Sequence, residues 1–133
     1  MANTVTSTVL LNGNKRQVVH LYIAGDGTGE VTTSTVYNYA TDTYAPTDKT
    51  ALRVEKINVG NDAFSPLFSW DGTTPFVVWD FGNNGVTHGD GVDFSGFGGI
   101  RNLAGVPNGN LTVTTVGLGA GEHMTAILVI RKA

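Results

Sequence analysis

Residues 4–24 read Thr-Val-Thr-Ser-Thr-Val-Leu-Leu-Asn-Gly-Asn-Lys-Arg-Gln-Val-Val-His-Leu-Tyr-Ile-Ala. In the first half Val5, Ser7, Val9 and Leu11 share one parity, and Thr4, Thr6 and Thr8 take the other. That is the period-2 pattern of a strand, where successive side chains point to opposite faces. Asn12-Gly13-Asn14 is a strong turn signal, because Gly and Asn tolerate the positive φ of tight hairpin turns. Arg16 to Ala24 then resumes as a second strand, so the segment predicts a β-hairpin.

Outward from this hairpin the pattern repeats. Gly25-Asp26-Gly27-Thr28-Gly29 breaks the chain, and the Thr-rich run from Glu30 to Tyr39 predicts a third strand. Residues 40–50 form a polar loop containing Pro46. From Ala51 to Val59, Leu52, Val54 and Lys56 alternate with Arg53, Glu55 and Ile57, and Gly60-Asn61-Asp62 ends that strand. Ala63 to Trp70 places Phe64, Phe68 and Trp70 on one parity. Asp71-Gly72 signals a turn, and Pro75 to Phe81 is the return strand. Pro66 and Pro75 belong at strand ends, edges or bulges, since proline donates no ladder hydrogen bond.

Gly82 to Pro107 is the least regular stretch, predicted as a long ordered loop with one short strand and an apolar patch at Phe94, Phe97 and Ile100. Asn110 to Val116 and His123 to Arg131 are the last two strands. Met124 to Ile130 is the most apolar of all and is expected at the centre of a sheet. About eight short strands at even spacing, with long Gly-rich loops, predict an all-β, antiparallel, jelly-roll-like β-sandwich. No helix of ordinary length and no fixed-period repeat interrupts it, so residues 1–133 read as a single domain.

Composition narrows function mainly by exclusion. Of 133 residues 41% are hydrophobic and only 14% charged, which suits a folded sheet protein whose polarity comes from Thr, Asn and Gly. There is no cysteine, hence no disulfide, zinc thiolate site or thiol nucleophile. The net charge is -3 without any polybasic run, which argues against nucleic acid as a partner. No apolar run is long enough for a membrane helix. The start, MANTVTSTVLLNG, lacks the features of a secretory signal, so synthesis in the cytoplasm is expected.

Chemical motifs are weak throughout. His20, His88 and His123 lack the spacing of a metal site. Gly25 to Gly29 resembles a phosphate loop in letters only, because a Thr-rich strand follows it and not a helix. Gly89-Asp90-Gly91-Val92-Asp93 matches a single copy of a calcium-binding β-roll repeat, and that architecture works by stacking copies. Asp71, Asp80, Asp90 and Asp93 sit where turns favour Asp, and no serine lies in a nucleophile elbow. Phe64, Phe68, Trp70, Phe76, Trp79 and Phe81 are expected to pack in the core. The expectation is a non-enzyme with no catalytic residue, no cofactor and no metal.

Several blocks carry a family resemblance: Val54-Glu55-Lys56-Ile57, Ser69-Trp70-Asp71-Gly72-Thr73-Thr74, Asp93-Phe94-Ser95-Gly96-Phe97-Gly98-Gly99-Ile100, then Asn102, Ala104 and Gly105, Leu111 to Gly117, Ala120-Gly121 and Ile127 to Lys132. The chain resembles small virion structural proteins of tailed bacteriophages, of the capsid decoration or cement type, over its carboxy-terminal three fifths. The resemblance implies a protein on the outside of a head lattice, bound to the major capsid protein and to copies of itself. Candidate contact residues are Asn3, Thr4 and Thr6 in the amino-terminal strand, Asp42, Tyr44 and Pro46 in the first long loop, and Asn83, Asn84 and His88 in the second. A tail, head-fibre or adhesion module, or a free carbohydrate-binding sandwich, is the alternative.

Overall fold

The computed structural model describes residues 3–61, 64–82 and 88–132. These contain ten strands: β1 (Thr4–Asn12), β2 (Arg16–Ala24), β3 (Ser34–Tyr37), β4 (Arg53–Asn61), β5 (Ser65–Thr74), β6 (Phe76–Asp80), β7 (His88–Asp93), β8 (Ile100–Arg101), β9 (Gly105–Val116) and β10 (His123–Arg131). Three single 3-10 turns, at 39–41, 49–51 and 95–97, are the only helical segments among the described residues. The fold is an all-β, antiparallel sandwich.

One sheet runs β1-β2-β10-β4-β7, with β8 also pairing with β4, and the other runs β3-β9-β5-β6. The pairings nest: β2 with β10, β3 with β9, β4 with β7 and β5 with β6. The outermost strands of this nest pair with each other and so do the innermost, as if one long hairpin had been rolled so that successive pairs fall in alternate sheets. Met124–Ile130 lies, as its apolar character predicts, in the middle of its sheet, between β2 and β4.

Alternation decides what enters the core. Val19, Leu21 and Ile23 of β2, Met124, Ala126, Leu128 and Ile130 of β10, and Val54, Ile57 and Val59 of β4 face inward. Leu111 and Val113 of β9 and Phe68 and Trp70 of β5 meet them from the other sheet. Trp70 is fully buried, and its indole N–H donates to the Ile100 carbonyl at 3.1 Å, so the one polar atom of the ring is satisfied.

Three segments differ from the sequence reading. Asp71-Gly72, expected to turn the chain, lies inside β5, which runs on to Thr74 with Gly72 opposite Pro107. The run 30–39 holds strand geometry only over Ser34–Tyr37. Before it, Val31 N–H donates to the Thr115 hydroxyl and Thr115 N–H to the Val31 carbonyl, a local crossing outside the ladder. The Gly-rich stretch 82–107 supplies two short strands, β7 and β8, and the beginning of β9. Gly makes such strands hard to see because it adds no side chain to the alternation. Gly72 shows a use for glycine here, since a Cβ there would lie 2.6 Å from the Gly105 carbonyl oxygen across the β5–β9 pair.

Candidate functional site

Each sheet of an open sandwich has two edges, and each edge offers unpaired N–H and C=O groups to another chain. Three of the four edges here are guarded. β3 is four residues long, and its Val36 carbonyl accepts from the Ser7 hydroxyl at 2.7 Å. β6 is five residues long, begins after Pro75 and ends on Asp80. β7 ends on Asp93, whose carboxylate pairs with Lys56 at 3.7 Å. β1 has none of these devices: nine residues, no charge and no proline. A bulge at Leu10 interrupts its pairing with β2 between Val9 and Leu11. Val9, Leu10 and Leu11 are 53%, 57% and 61% exposed.

A cavity of about 240 Å³ opens beside this edge, between β1 and β3, lined by Ser7, Val9, Thr35, Val36, Asn38 and Asp42 among others. Its floor leads to a buried polar node. The Lys132 ammonium lies 2.8 Å from Asp42 Oδ2, donates to Asp42 Oδ1 at 3.0 Å and to the Gly13 carbonyl at 2.8 Å, and also donates to Asn12 Oδ1. Tyr37 Oη donates to Asp42 Oδ2 at 2.6 Å, and Asn12 Nδ2 and the Tyr44 N–H donate to Oδ1. The side chains of Lys132 and Asp42 are both fully buried. Burial works to raise the Asp42 carboxyl, but the bonds from Lys132, Tyr37, Tyr44 and Asn12 outweigh it and hold the group below its ordinary value. Burial and the Asp42 charge push the Tyr37 phenol well above its usual range. The node therefore fastens the residue that follows β10, the β1–β2 turn and the 38–52 loop to one another.

The predicted contact residues separate accordingly. Thr4 and Thr6 are exposed on β1, opposite Ala24 and Tyr22. Tyr44 is half exposed, its ring 5.7 Å from the Lys132 ammonium at the Asn12 end of the strand. Asn3 lies at the other end, where Nδ2 donates to the Gly29 carbonyl at 2.7 Å and Oδ1 accepts from the Asp26 N–H. The Pro46 carbonyl accepts from the Tyr39 hydroxyl. Asp42 is a correction: its carboxylate faces the buried lysine and offers no surface to a partner. Asn83 and Asn84 lie outside the described residues. His88 opens β7 opposite Asn61, and its side chain lies outside them too. Leu10 and Leu11 were not singled out from sequence, although three successive apolar residues breaking an alternating strand were the available signal.

The other motifs resolve into local structure. Asp26 Oδ1 accepts from the N–H and hydroxyl of Thr28, forming a turn where a phosphate cradle would need a helix. The Asp71, Asp80 and Asp93 carboxylates accept from Asn108 Nδ2, from the Gly82 N–H and from the Ser95 N–H respectively. Among the described residues no three His, Asp or Glu side chains gather as metal ligands. Phe64, Phe68 and Trp70 are core residues, whereas Trp79 is 39% exposed and packs against Phe94 in a tilted arrangement, ring centroids 5.5 Å apart. Compared with known protein families and with curated proteins, the chain matches none.

Proposed function

We propose that the chain is a structural protein of a bacteriophage particle, a capsid decoration protein that seats its β1 edge on the shell. The observation that carries this reading is the β1 edge itself. A nine-residue, uncharged, apolar-rich edge invites aggregation unless a partner covers it. A protein that spends its life bound to a lattice has such a partner, whether the major capsid protein or a neighbouring copy. The nested strand order supports the reading as well. We read it as a jelly roll, an architecture frequent among viral capsid and lectin domains. The resemblance of the carboxy-terminal blocks to decoration proteins points the same way.

A second reading rests on a separate observation. Trp79 and the largely exposed Phe97 flank Phe94, with ring centroids 5.5 and 6.2 Å from it. Exposed aromatic rings stack on sugars, so this seam fits an adhesion module of a tail or head fibre.

The test is sedimentation of the purified chain with heads of the matching particle, together with its copy number in gradient-purified particles. Decoration predicts hundreds of copies and saturable binding. The Leu10→Lys/Leu11→Lys variant should bind at least tenfold more weakly while melting at an unchanged temperature. Absence from particles, or a variant that binds as well as the parent, would overturn the proposal. Glycan binding lost in Trp79→Ala, with only a few copies per particle, would establish the second reading in its place.

A further inference from the structure

Gln17 begins the inward row of β2, ahead of Val19, Leu21 and Ile23, and it is only 4% exposed. A polar side chain in a row of core residues has to be accounted for by its partners. Its amide is held in one orientation. Lys132 donates to Asn12 Oδ1, and Asn12 Nδ2 donates to Asp42 Oδ1. Asn12 therefore offers Gln17 its oxygen, and Gln17 Nε2 donates to it at 3.2 Å. Oε1 is turned away from Asn12, and among the described residues nothing donates to it. Gln17 forms part of the wall of the cavity between β1 and β3, and Oε1 reaches solvent there.

The rest of the wall has the same neutral character. Asn38 Oδ1 accepts from the Ala40 N–H, which leaves the Nδ2 donors unused among the described residues. The Thr35 hydroxyl is likewise unbonded among them. Ser7 Oγ donates to the Val36 carbonyl and keeps its lone pairs to accept with. Val9 and Val36 supply apolar wall. Asp42 is the one charged residue of the lining, and its two oxygens are taken by Lys132, Tyr37, Asn12 and the Tyr44 N–H.

We infer that this cavity is a binding site for a small neutral polyol, a molecule the size of one sugar ring. A hydroxyl both donates and accepts, so neighbouring hydroxyls on one ring answer an acceptor at Gln17, a donor at Asn38 and the hydroxyl of Thr35 together. The C–H edges of the ring meet Val9 and Val36. At about 240 Å³ the cavity is smaller than the ~300–1,000 Å³ of a site for drug-sized ligands, which limits the ligand to a single ring. An anion fits poorly, because Asp42 is in the wall and its lysine is already engaged. An apolar ligand would shut Gln17 Oε1 and Asn38 Nδ2 away from water without partners. The site lies at the margin of the sandwich where β1 and β3 are the edges, and the Trp79–Phe94 seam lies at the margin of β6 and β7. The inference stands apart from both readings of the particle.

The test follows backbone amide shifts of the isotope-labelled full chain during titration with glucose, galactose, mannose and glycerol. Glucuronate, a sugar ring bearing a carboxylate, and cyclohexanol, a ring with a single hydroxyl, serve as comparison ligands. Saturable shifts confined to residues 7–9, 17 and 35–38 are expected with at least one neutral polyol, and binding at least fivefold weaker with both comparison ligands. Asn38→Asp keeps the oxygen that caps the Ala40 N–H and replaces the donor by a carboxylate oxygen, so it should weaken binding at least tenfold. Thr35→Val, at an exposed position, keeps the test valid should the first variant disturb its turn, with a threefold or greater loss expected. Trp79→Ala should bind as the parent does. No saturation with any of the four polyols, shifts centred on Trp79, equal binding of cyclohexanol, or parental affinity in both cavity variants would each overturn the inference.

Discussion

Replacing Lys132 by Met removes the cation from the buried node and leaves its counter-charge in place. Asp42 would keep Tyr37, Asn12 and the Tyr44 N–H as donors but lose both contacts to the ammonium, at 2.8 and 3.0 Å. Both side chains lack solvent contact, so water cannot take the place of the ammonium without local opening. Breaking a buried pair from one side costs about 3–5 kcal/mol. For a domain with a total stability of about 5–15 kcal/mol, that is a large fraction, and it corresponds to a melting point lower by roughly 10–20 °C. Acid supplies the internal control. In the parent the Asp42 carboxyl is held below its unfolded value, so its contribution is present above the ordinary carboxylate range and lost as pH falls through the folded value. In the variant, burial without the cation raises the same carboxyl, which then protonates readily. Urea unfolding at pH 7 and pH 3 should therefore show a wide gap between parent and variant that narrows in acid. Asp42→Asn/Lys132→Met, which removes both charges, should recover most of the loss. A single variant within 1 kcal/mol of the parent at pH 7, or a gap that widens in acid, would refute the account of the node.

Gly109→Ala should destabilise by about 2 kcal/mol or more in the same urea assay, because Gly109 has φ +88° and a Cβ there would lie 2.5 Å from Tyr39 Cγ. Trp70→Phe should cost about 1–3 kcal/mol, as it leaves the partly buried Ile100 carbonyl without its indole donor and opens space in the core. Glu30→Gln should loosen the 117–118 turn while leaving the sheets intact: the Glu30 carboxylate accepts from the Thr115 hydroxyl and the N–H groups of Gly117 and Leu118, so faster amide exchange confined to that turn is the expected signature.

Period-2 alternation made the class of fold readable, because each strand that lines the core buries one face. Val19, Leu21 and Ile23 announce their strand without any knowledge of its partner. Strand order was not readable, because alternation says which face is inside and nothing about which strand lies alongside. The strands of 82–107 were hidden for a different reason: Gly89, Gly91 and Gly105 pair through backbone alone. The proposed contact surface was half legible. Thr4 and Thr6 lie on the exposed strand, yet the apolar Val9-Leu10-Leu11 run is its larger feature. Asp42 looked like a solvated loop carboxylate because its partner, Lys132, lies ninety residues away in sequence.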